Sequence, residues 1–429
     1  VMSSVEAQVE RLFDRYGPRY RWLATITVML GTMSVVLAST IINVAIPTIM
    51  TEFQLAQDQV HWLATGFLAA MTVGMLLNAW CTQRFGARGA YLLAMGLFVV
   101  VSIIGAASEH FPLLVAARVG QGLLAGLIQP LAMITIFQVF PLNRRGQAMG
   151  IYGMGVILAP ALGPVLGGFL VDQLHWRYVM FAPAPVTLLG VFMAWRFLPL
   201  PPYRPAPYRF DLIGLLLLGT AVGVSLDALN LLHGDAGAGT RIAAELALSL
   251  VCLVLFVRRQ RRIEHPLLNV SLLRRRSFLY ANLGALALGL ALFGSTYLVP
   301  LFVQTALSFT ATEAGLLMLP AGIALGITFP LAGRLADKYR AYKLVVIGMA
   351  LFASSAILFA LSGLATAFGW LALWTVLGRV GLGFMLPALS TGALNPLATH
   401  ELGAGSSTIN FTRQLGGAYG VNLVALTLE

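Results

Sequence analysis

The sequence predicts an all-α polytopic membrane protein of two six-helix bundles with a two-helix hairpin inserted between them. Of its 429 residues, 59% are hydrophobic and 10% are charged, whereas soluble domains carry about 25% charged residues. Uncharged apolar stretches long enough to cross a bilayer recur along the chain. Two regions also repeat each other, which indicates paired bundles. A soluble enzyme, a disordered protein and a secreted disulfide scaffold are therefore excluded.

Thirteen apolar segments are predicted, joined by short connections that carry proline, glycine or charge. If the first segment begins in the cytoplasm, nearly all arginines and lysines of the connections lie inside, and only Arg177 and Arg241 lie outside. The positive-inside rule therefore predicts a cytoplasmic N-terminus. The segments are 22–46, 60–80, 89–107, 112–140, 147–170, 178–198, 210–232, 241–257, 278–305, 313–333, 343–363, 366–392 and 403–427.

An internal repeat relates the two halves. Residues 91–98 match 345–352 at an offset of 254, and the Arg118 motif matches the Arg379 motif at an offset of 261. Halves of the same polarity indicate parallel repeats. Two bundles of six helices and a hairpin of two would make fourteen helices, whereas thirteen segments are found. We therefore expect a fourteenth helix to be absent from this sequence, through truncation or disorder. The predicted domains are 1–21 (cytoplasmic), 22–198 (first bundle), 199–257 (linker and hairpin), 258–277 (basic loop) and 278–429 (incomplete second bundle).

The N-terminal 21 residues lack the apolar core and cleavage site of a signal peptide. A short interfacial helix is predicted there, with a disordered lead as the alternative. The apolar residues that share one face of this helix are Val5, Val9, Leu12, Phe13 and Tyr16.

The low numbers of cysteine, histidine and lysine exclude several kinds of site. Cys81 and Cys252 both lie in apolar runs and are predicted to be free thiols, and the six histidines are scattered, so no metal site is expected. The two lysines, Lys338 and Lys343, do not follow glycine, so no phosphate-binding loop exists. The net charge of +11 lies on connections rather than in a soluble basic domain, which argues against nucleic-acid binding.

Four motifs point to one family. The first apolar segment contains Ser39-Thr-Ile-Ile-Asn43-Val-Ala-Ile-Pro47, and the fourth contains Arg118-Val-Gly-Gln121-Gly122. The connections after the second and tenth segments carry charged loops, the latter with Asp337. The fifth segment contains small residues at helical spacing, which let two helices approach closely, and a proline that bends the helix. These residues are Gly150, Ala159, Gly163, Pro164, Gly167 and Gly168.

With these motifs, nearly the whole chain resembles the major facilitator superfamily, specifically the fourteen-helix drug:proton antiporters of the EmrB/QacA type. The resemblance implies a major facilitator fold and alternating access. It implies multidrug export of hydrophobic or amphiphilic compounds from a bacterial inner membrane, driven by the proton gradient without a cofactor. A monomer and a periplasmic adaptor protein are also implied. Two alternatives are an exporter of one lipid-like or anionic metabolite and a non-transporting sensor or scaffold.

The resemblance also assigns candidate site residues. Arg118, Gln121 and Gly122 match the family's coupling motif, and Asp337 keeps the acid of the charged loop, where the first half has Gln83. Arginine at the bilayer centre costs about 2.5–3.5 kcal/mol on insertion scales, so Arg118, Arg379 and Arg413 are expected to face a cavity or a polar partner. The alternative is that Arg118 and Arg379 hold helix backbones together.

One departure from the family pattern affects the residue expected to bind the proton. The family has an aspartate before the first-segment Ser-Thr pair, and this chain has Ala38. Two acids near the outer boundary, Asp227 and Glu245, are unusual proton-site candidates, although interfacial solvation is the alternative and Glu245 is spaced to pair with Arg241. The uncharged polar residues predicted to line a central cavity are Ser39, Thr40, Asn43, Asn78, Gln129, Asn282, Gln304, Asn410 and Gln414.

Overall fold

The computed structural model describes residues 4–55, 60, 62–199, 210–231, 239–264, 266–309, 311–363 and 366–427. Over this part of the chain the elements are α-helices and short 3-10 turns, without β-strands. In this part of the chain, ten helical stretches are long and apolar enough to cross a membrane, one of them Arg177–Phe197. The predicted all-α polytopic class is confirmed, and the described parts of the thirteen apolar segments are largely helical.

The chain divides into two compact units, each described by itself. The first contains α1 to α7 and the beginning of α14, and the second contains α8 to α13 and the rest of α14. The helices of the first unit are α1 (Ser4–Tyr16), α2 (Arg19–Phe53), α3 (Trp62–Ala106), α4 (Phe111–Val139), α5 (Arg145–Gln173), α6 (Arg177–Phe181) and α7 (Ala184–Phe197). Those that follow are α8 (Leu212–Leu231), α9 (Gly239–Gln260), α10 (Arg276–Thr305), α11 (Ala311–Lys338), α12 (Ala341–Ala360), α13 (Phe368–Leu394) and α14 (Leu402–Thr427).

Two connections differ from the predicted boundaries. The second and third segments form one element, α3, which is interrupted only at Gly86, where φ is 73° and ψ is 164°. Glycine adopts a positive φ without steric cost, so this residue alone turns the chain. We call residues 62–85 and 87–106 the first and second limbs of α3. The sixth segment is divided into α6 and α7 at Pro183, which has no N–H to continue a helix.

The α2 helix is central to the first unit. It packs against α4, α5 and α7, and α3 packs along α4. At the turn between the limbs of α3, Arg88 donates hydrogen bonds to the carbonyls of Trp195 and Leu198. These carbonyls end α7, so a basic residue of the charged loop caps that helix.

The inserted hairpin, α8 and α9, has an ionic network at each end. At the end where α9 finishes, Asp211 is 5% exposed and accepts hydrogen bonds from Arg259 Nε at 2.7 Å and Gln260 Nε2 at 2.7 Å. At the other end, Arg241 Nε lies 2.8 Å from Glu245 and its Nη2 lies 3.1 Å from Asp227. The predicted pair of Arg241 and Glu245 is confirmed, and both acids of the hairpin are held by the same guanidinium.

Candidate functional site: a buried arginine network

Arg118 lies in the interior of the first unit and connects three helices. Its side chain is 1% exposed. Its Nε donates to the carbonyl of Leu63 in α3 at 2.9 Å, and its Nη1 donates to the carbonyl of Ala38 in α2 at 3.1 Å. Because α4 carries the arginine, one guanidinium links α2, α3 and α4. This position agrees with both the coupling role and the predicted alternative that Arg118 holds helix backbones together.

Gln121 completes the network one turn along α4. Its Oε1 accepts from Arg118 Nη1 at 2.9 Å, and its Nε2 donates to Ser102 Oγ at 2.8 Å. Gln121 and Ser102 are fully buried. The Arg118 guanidinium carbon also lies 4.4 Å from the ring centroid of Phe67, a cation–π contact. The spacing of the motif indicated Arg118 and Gln121, but nothing in the sequence indicated Ser102 or Phe67.

The positive charge of Arg118 is balanced by dipoles rather than by a carboxylate. Its Nη2 is buried and has no hydrogen-bond partner among the described residues. The carboxylates of Glu52, Asp211, Asp227 and Glu245 form their ion pairs with other basic residues. The group that Arg118 contacts in α2 is the backbone of Ala38, the position where the family carries its aspartate. The departure seen in the sequence therefore lies at the centre of this network.

Gly122 permits the close approach of α4 to α3. A Cβ atom at Gly122 would lie 2.1 Å from the carbonyl oxygen of Phe67, and one at Gly126 would lie 2.1 Å from the carbonyl oxygen of Met71. On the facing helix, a Cβ at Gly74 would lie 2.1 Å from the carbonyl oxygen of Leu123. These are backbone contacts that a flexible side chain cannot relieve. Gly122 therefore sets the distance across which Arg118 reaches α3.

Substituting Gly122→Ala is expected to destabilise the protein, because the added methyl group forces α3 and α4 apart. Overpacking of this kind costs about 1–3 kcal/mol. We expect a lower thermal unfolding midpoint in detergent, measured by intrinsic tryptophan fluorescence. The matched control is Gly96→Ala in the second limb of α3, where no atom lies within 4 Å of the added Cβ. Equal midpoints for the two variants would contradict this packing.

The glycine motif of α5 forms its contact with α2. A Cβ at Gly163 would lie 2.3 Å from Thr40 Oγ1, and one at Gly167 would lie 3.0 Å from the carbonyl oxygen of Ile41. Ala159 is 1% exposed, and Gly150 is buried. Gly168, in contrast, has open space beside it, and the side chain of Pro164 is outside the described residues. Four of the motif's small residues thus face the interior, and two of them, Gly163 and Gly167, touch α2.

The second unit contains a related but simpler arrangement. Arg379 in α13 is 7% exposed, and its Nη2 donates to Thr296 Oγ1 in α10 at 2.9 Å. The repeat places Leu382 where the first half has Gln121, so the extended network is not reproduced. Arg413 in α14 is half-buried and donates to Asn410 Oδ1 at 2.9 Å. Arg379 and Arg413 therefore both have uncharged polar partners, and their predicted coupling roles stay predictions.

The predicted cavity residues are placed in several different environments. Ser39 and Thr40 donate to carbonyls of their own helix, and Asn43 is exposed. Asn78 is fully buried and donates to Ser407 at the beginning of α14, within the first unit. Asn282 is 4% exposed and donates to the carbonyl of Phe278. The others are Gln129 and Gln414 (half-buried), Asn410 (buried), and Gln304, whose side chain is outside the described residues.

Asp337, the acid of the second charged loop, lies near the end of α11 and is half-buried. In the first loop, Gln83 and Arg84 are exposed. The roles predicted for these residues stay predictions. A cavity of about 700 Å³ involves neither loop and was not indicated by any motif. It lies in the second unit between α10, α12 and α13, and Arg379 is the predicted site residue on its wall.

Comparison with known proteins supports the resemblance. Residues 28–421 match the Major Facilitator Superfamily. The multidrug export protein EmrB of Escherichia coli K12 is 31% identical over 421 residues, covering 94% of this chain and 79% of that protein. The protein of the same name from Haemophilus influenzae is 31% identical over 411 residues, with the same coverage. The human organic anion transporter MFSD10 superimposes with a TM-score of 0.68 at 18% identity, covering 94% of this chain and 92% of that one.

Proposed function

Because the chain belongs to the major facilitator superfamily and resembles its EmrB-type members, we propose that it is a secondary exporter of hydrophobic or amphiphilic compounds. It is a multi-pass membrane transporter rather than an enzyme. We place it in a bacterial inner membrane with a cytoplasmic N-terminus, where two bundles alternate access to a central cavity. The observation that carries this proposal is the contact of the α5 glycine motif with α2, because the family associates that motif with export.

The first unit provides a physical route from substrate to conformation. Thr40 and Ala38 lie on α2, two residues apart. Thr40 contacts Gly163 of α5, and the Ala38 carbonyl accepts from Arg118 of α4. A shift of α2 on substrate binding would therefore change both contacts. Packed helices exchange between discrete arrangements rather than deforming continuously, so these two contacts are suited to bias the unit between access states.

We further propose that the compounds are exported in exchange for protons. Protonation within a membrane is normally carried by a carboxylate, and the α2 position of the family aspartate is Ala38. The acids of the hairpin, Asp227 and Glu245, are the remaining candidates near the membrane, and both pair with Arg241. Protonation of either acid would release its ion pair and free part of the hairpin end. We therefore assign any coupling carboxylate to this pair.

A second candidate function is favoured by the same network. A buried guanidinium that no carboxylate neutralises suits an anionic or lipid-like substrate, because its positive charge attracts a negative headgroup. Under this alternative the chain exports one metabolite with atypical proton coupling or none. The predicted monomeric state and the predicted periplasmic adaptor stay predictions under both functions.

Efflux from cells lacking their own exporters separates the two functions. We expect cells that produce the protein to lose several unrelated cationic dyes faster than control cells, and a protonophore to abolish the difference. A vector without the gene provides the control, with membrane levels of the protein checked by immunoblot. Retention of every dye in a broad panel would contradict multidrug export and favour the single-metabolite function. Efflux that survives the protonophore would contradict proton exchange.

A further inference from the structure

The end of α9 carries an open hollow of about 370 Å³. It lies where the helix passes into the basic loop predicted at 258–277, which contains seven arginines and one acid, Glu264. Neither the family motifs nor the proposed transport cycle gives this loop a role. The residues that line the hollow are Leu255, Arg258, Arg259, Arg262 and Ile263.

The hollow follows one face of the helix. Backbone hydrogen bonds of 3.2 Å, to the carbonyls of Val257 and Arg259, continue the helical turn past the last residue of α9. Residues that are three, four and seven positions apart lie on the same side of a helix. Leu255, Arg258 and Arg262 therefore form one column, in which two guanidinium groups follow an apolar side chain.

The same column continues into the apolar part of α9. Leu248, Val251 and Leu255 are all exposed, and α9 packs mainly against α8. Exposed leucine and valine side chains of a membrane-spanning helix face lipid tails, which are equally apolar. Ten residues separate Leu248 from Arg258, which is about 15 Å of helix. An acyl chain lying along this stripe therefore brings its headgroup to the arginines.

The arginines of the hollow differ in their ion pairs. Arg259 Nε donates to Asp211 at 2.7 Å, and Gln260 Nε2 donates to the same carboxylate, so Arg259 is neutralised and forms a fixed part of the wall. Arg258 and Arg262 are exposed. Among the described residues, the ion pairs involve neither of them. The hollow thus presents two positive charges one turn apart.

The two ends of the hairpin also differ in charge. At the end where α9 begins, Arg241 pairs with two acids. At the end where α9 finishes, four arginines lie within 258–262, and the acids beside them are Asp211 and Glu264. Clusters of arginine next to a membrane-spanning helix attract anionic headgroups. Such a headgroup is therefore attracted to the second end of the hairpin and not to the first.

We propose that the hollow binds the phosphate of an anionic membrane phospholipid, with Arg258 and Arg262 donating to its oxygens and an acyl chain along Leu248 and Val251. Guanidinium groups donate paired hydrogen bonds to phosphate oxygens. A zwitterionic lipid carries the same phosphate, but its cationic group offsets the attraction. Free phosphate lacks the acyl chain that the apolar stripe accommodates. This inference is independent of what the protein transports.

Native mass spectrometry of the purified protein measures lipid binding directly. The probes are phosphatidylglycerol and phosphatidylcholine with identical acyl chains, added in increasing amounts to delipidated protein in detergent. We expect phosphatidylglycerol to bind more tightly than phosphatidylcholine. The double variant Arg258→Gln, Arg262→Gln should bind phosphatidylglycerol about tenfold more weakly, because each arginine near an anionic headgroup strengthens binding several-fold.

The matched control is the double variant Arg261→Gln, Arg274→Gln. It removes the same charge from exposed arginines of the loop that do not line the hollow, and it should bind phosphatidylglycerol as the original protein does. Equal weakening in both double variants would overturn the proposal, because binding would then follow net charge alone. Equal affinity of the original protein for the two lipids would also overturn it. Displacement of phosphatidylglycerol by ammonium phosphate, but not by ammonium acetate of equal ionic strength, would identify a site for the free ion instead.

Single substitutions keep the test decisive if a double variant aggregates on size-exclusion chromatography. Arg262 is exposed and lies beyond the last residue of α9, so Arg262→Gln is compared with Arg261→Gln. Only the first should weaken the binding of phosphatidylglycerol, and Arg262→Lys, which keeps the charge, should retain most of it. Equal binding by Arg262→Gln and Arg261→Gln would overturn the proposal.

Discussion

Arg118→Ala is expected to reduce export to the background of cells without the protein. The substitution removes the hydrogen bonds to the Leu63 and Ala38 carbonyls and the bond to Gln121, so α2, α3 and α4 lose their shared link. The measurement is initial efflux rate per amount of protein in the membrane. Size-exclusion chromatography of the solubilised variant establishes whether the fold is retained.

A matched control distinguishes this network from ordinary capping by arginine. Arg145 also donates to backbone carbonyls, those of Phe137 at 2.7 Å and Phe140 at 3.2 Å, near the junction of α4 and α5. We expect Arg145→Ala to keep most of the export. Normal export by Arg118→Ala at normal expression would remove Arg118 from the mechanism. A variant that is inactive only because it is unfolded would support the backbone-holding alternative instead.

Gly163→Leu is expected to abolish export, whereas Gly168→Leu should leave the efflux rate within about twofold of the original protein. A Cβ at Gly163 would collide with Thr40 of α2, whereas Gly168 has open space, and overpacking a close helix contact is costly. Because the two glycines lie five residues apart on one helix, differences in helix propensity cancel. Efflux and membrane level are measured for both variants.

Two outcomes would contradict the proposed role of the α5 contact. Equal loss of export in both variants would show that any bulky residue in this helix is harmful. Normal export by Gly163→Leu would show that α5 and α2 need not approach closely. The efflux rate of Gly163→Ala should lie between that of the original protein and that of Gly163→Leu, because a single methyl group requires only a small shift of Thr40.

Much of the fold could be predicted because it depends on local pattern. Apolar segment length and charge placement indicated the helices, and the four-residue spacing indicated the pair of Arg241 and Glu245. The turn at Gly86 was harder to predict, because a charged loop of several residues and a helix interrupted at one glycine look alike in sequence. The helix boundary at Pro183 fell within a segment whose apolar composition is continuous.

The partners of the candidate site could not be predicted, because they come from distant parts of the chain. Arg118 binds two backbone carbonyls, and carbonyls have no sequence identity that a motif can reveal. Gln121 reaches Ser102 only after α3 and α4 have packed. Asn43 is exposed, and its predicted place on a cavity wall stays a prediction, because residue type alone does not specify which face of a helix it occupies.

Transport by purified protein in liposomes would test proton-coupled export without the other transporters of a cell. The protein is reconstituted with a pH-sensitive dye inside the vesicles, and an amphiphilic cation that scored positive in cells is added without any imposed gradient. We expect substrate-dependent proton movement in the direction opposite to the substrate, and no such movement in vesicles that contain Arg118→Ala. Substrate movement without any proton movement in the original protein would contradict proton-coupled export.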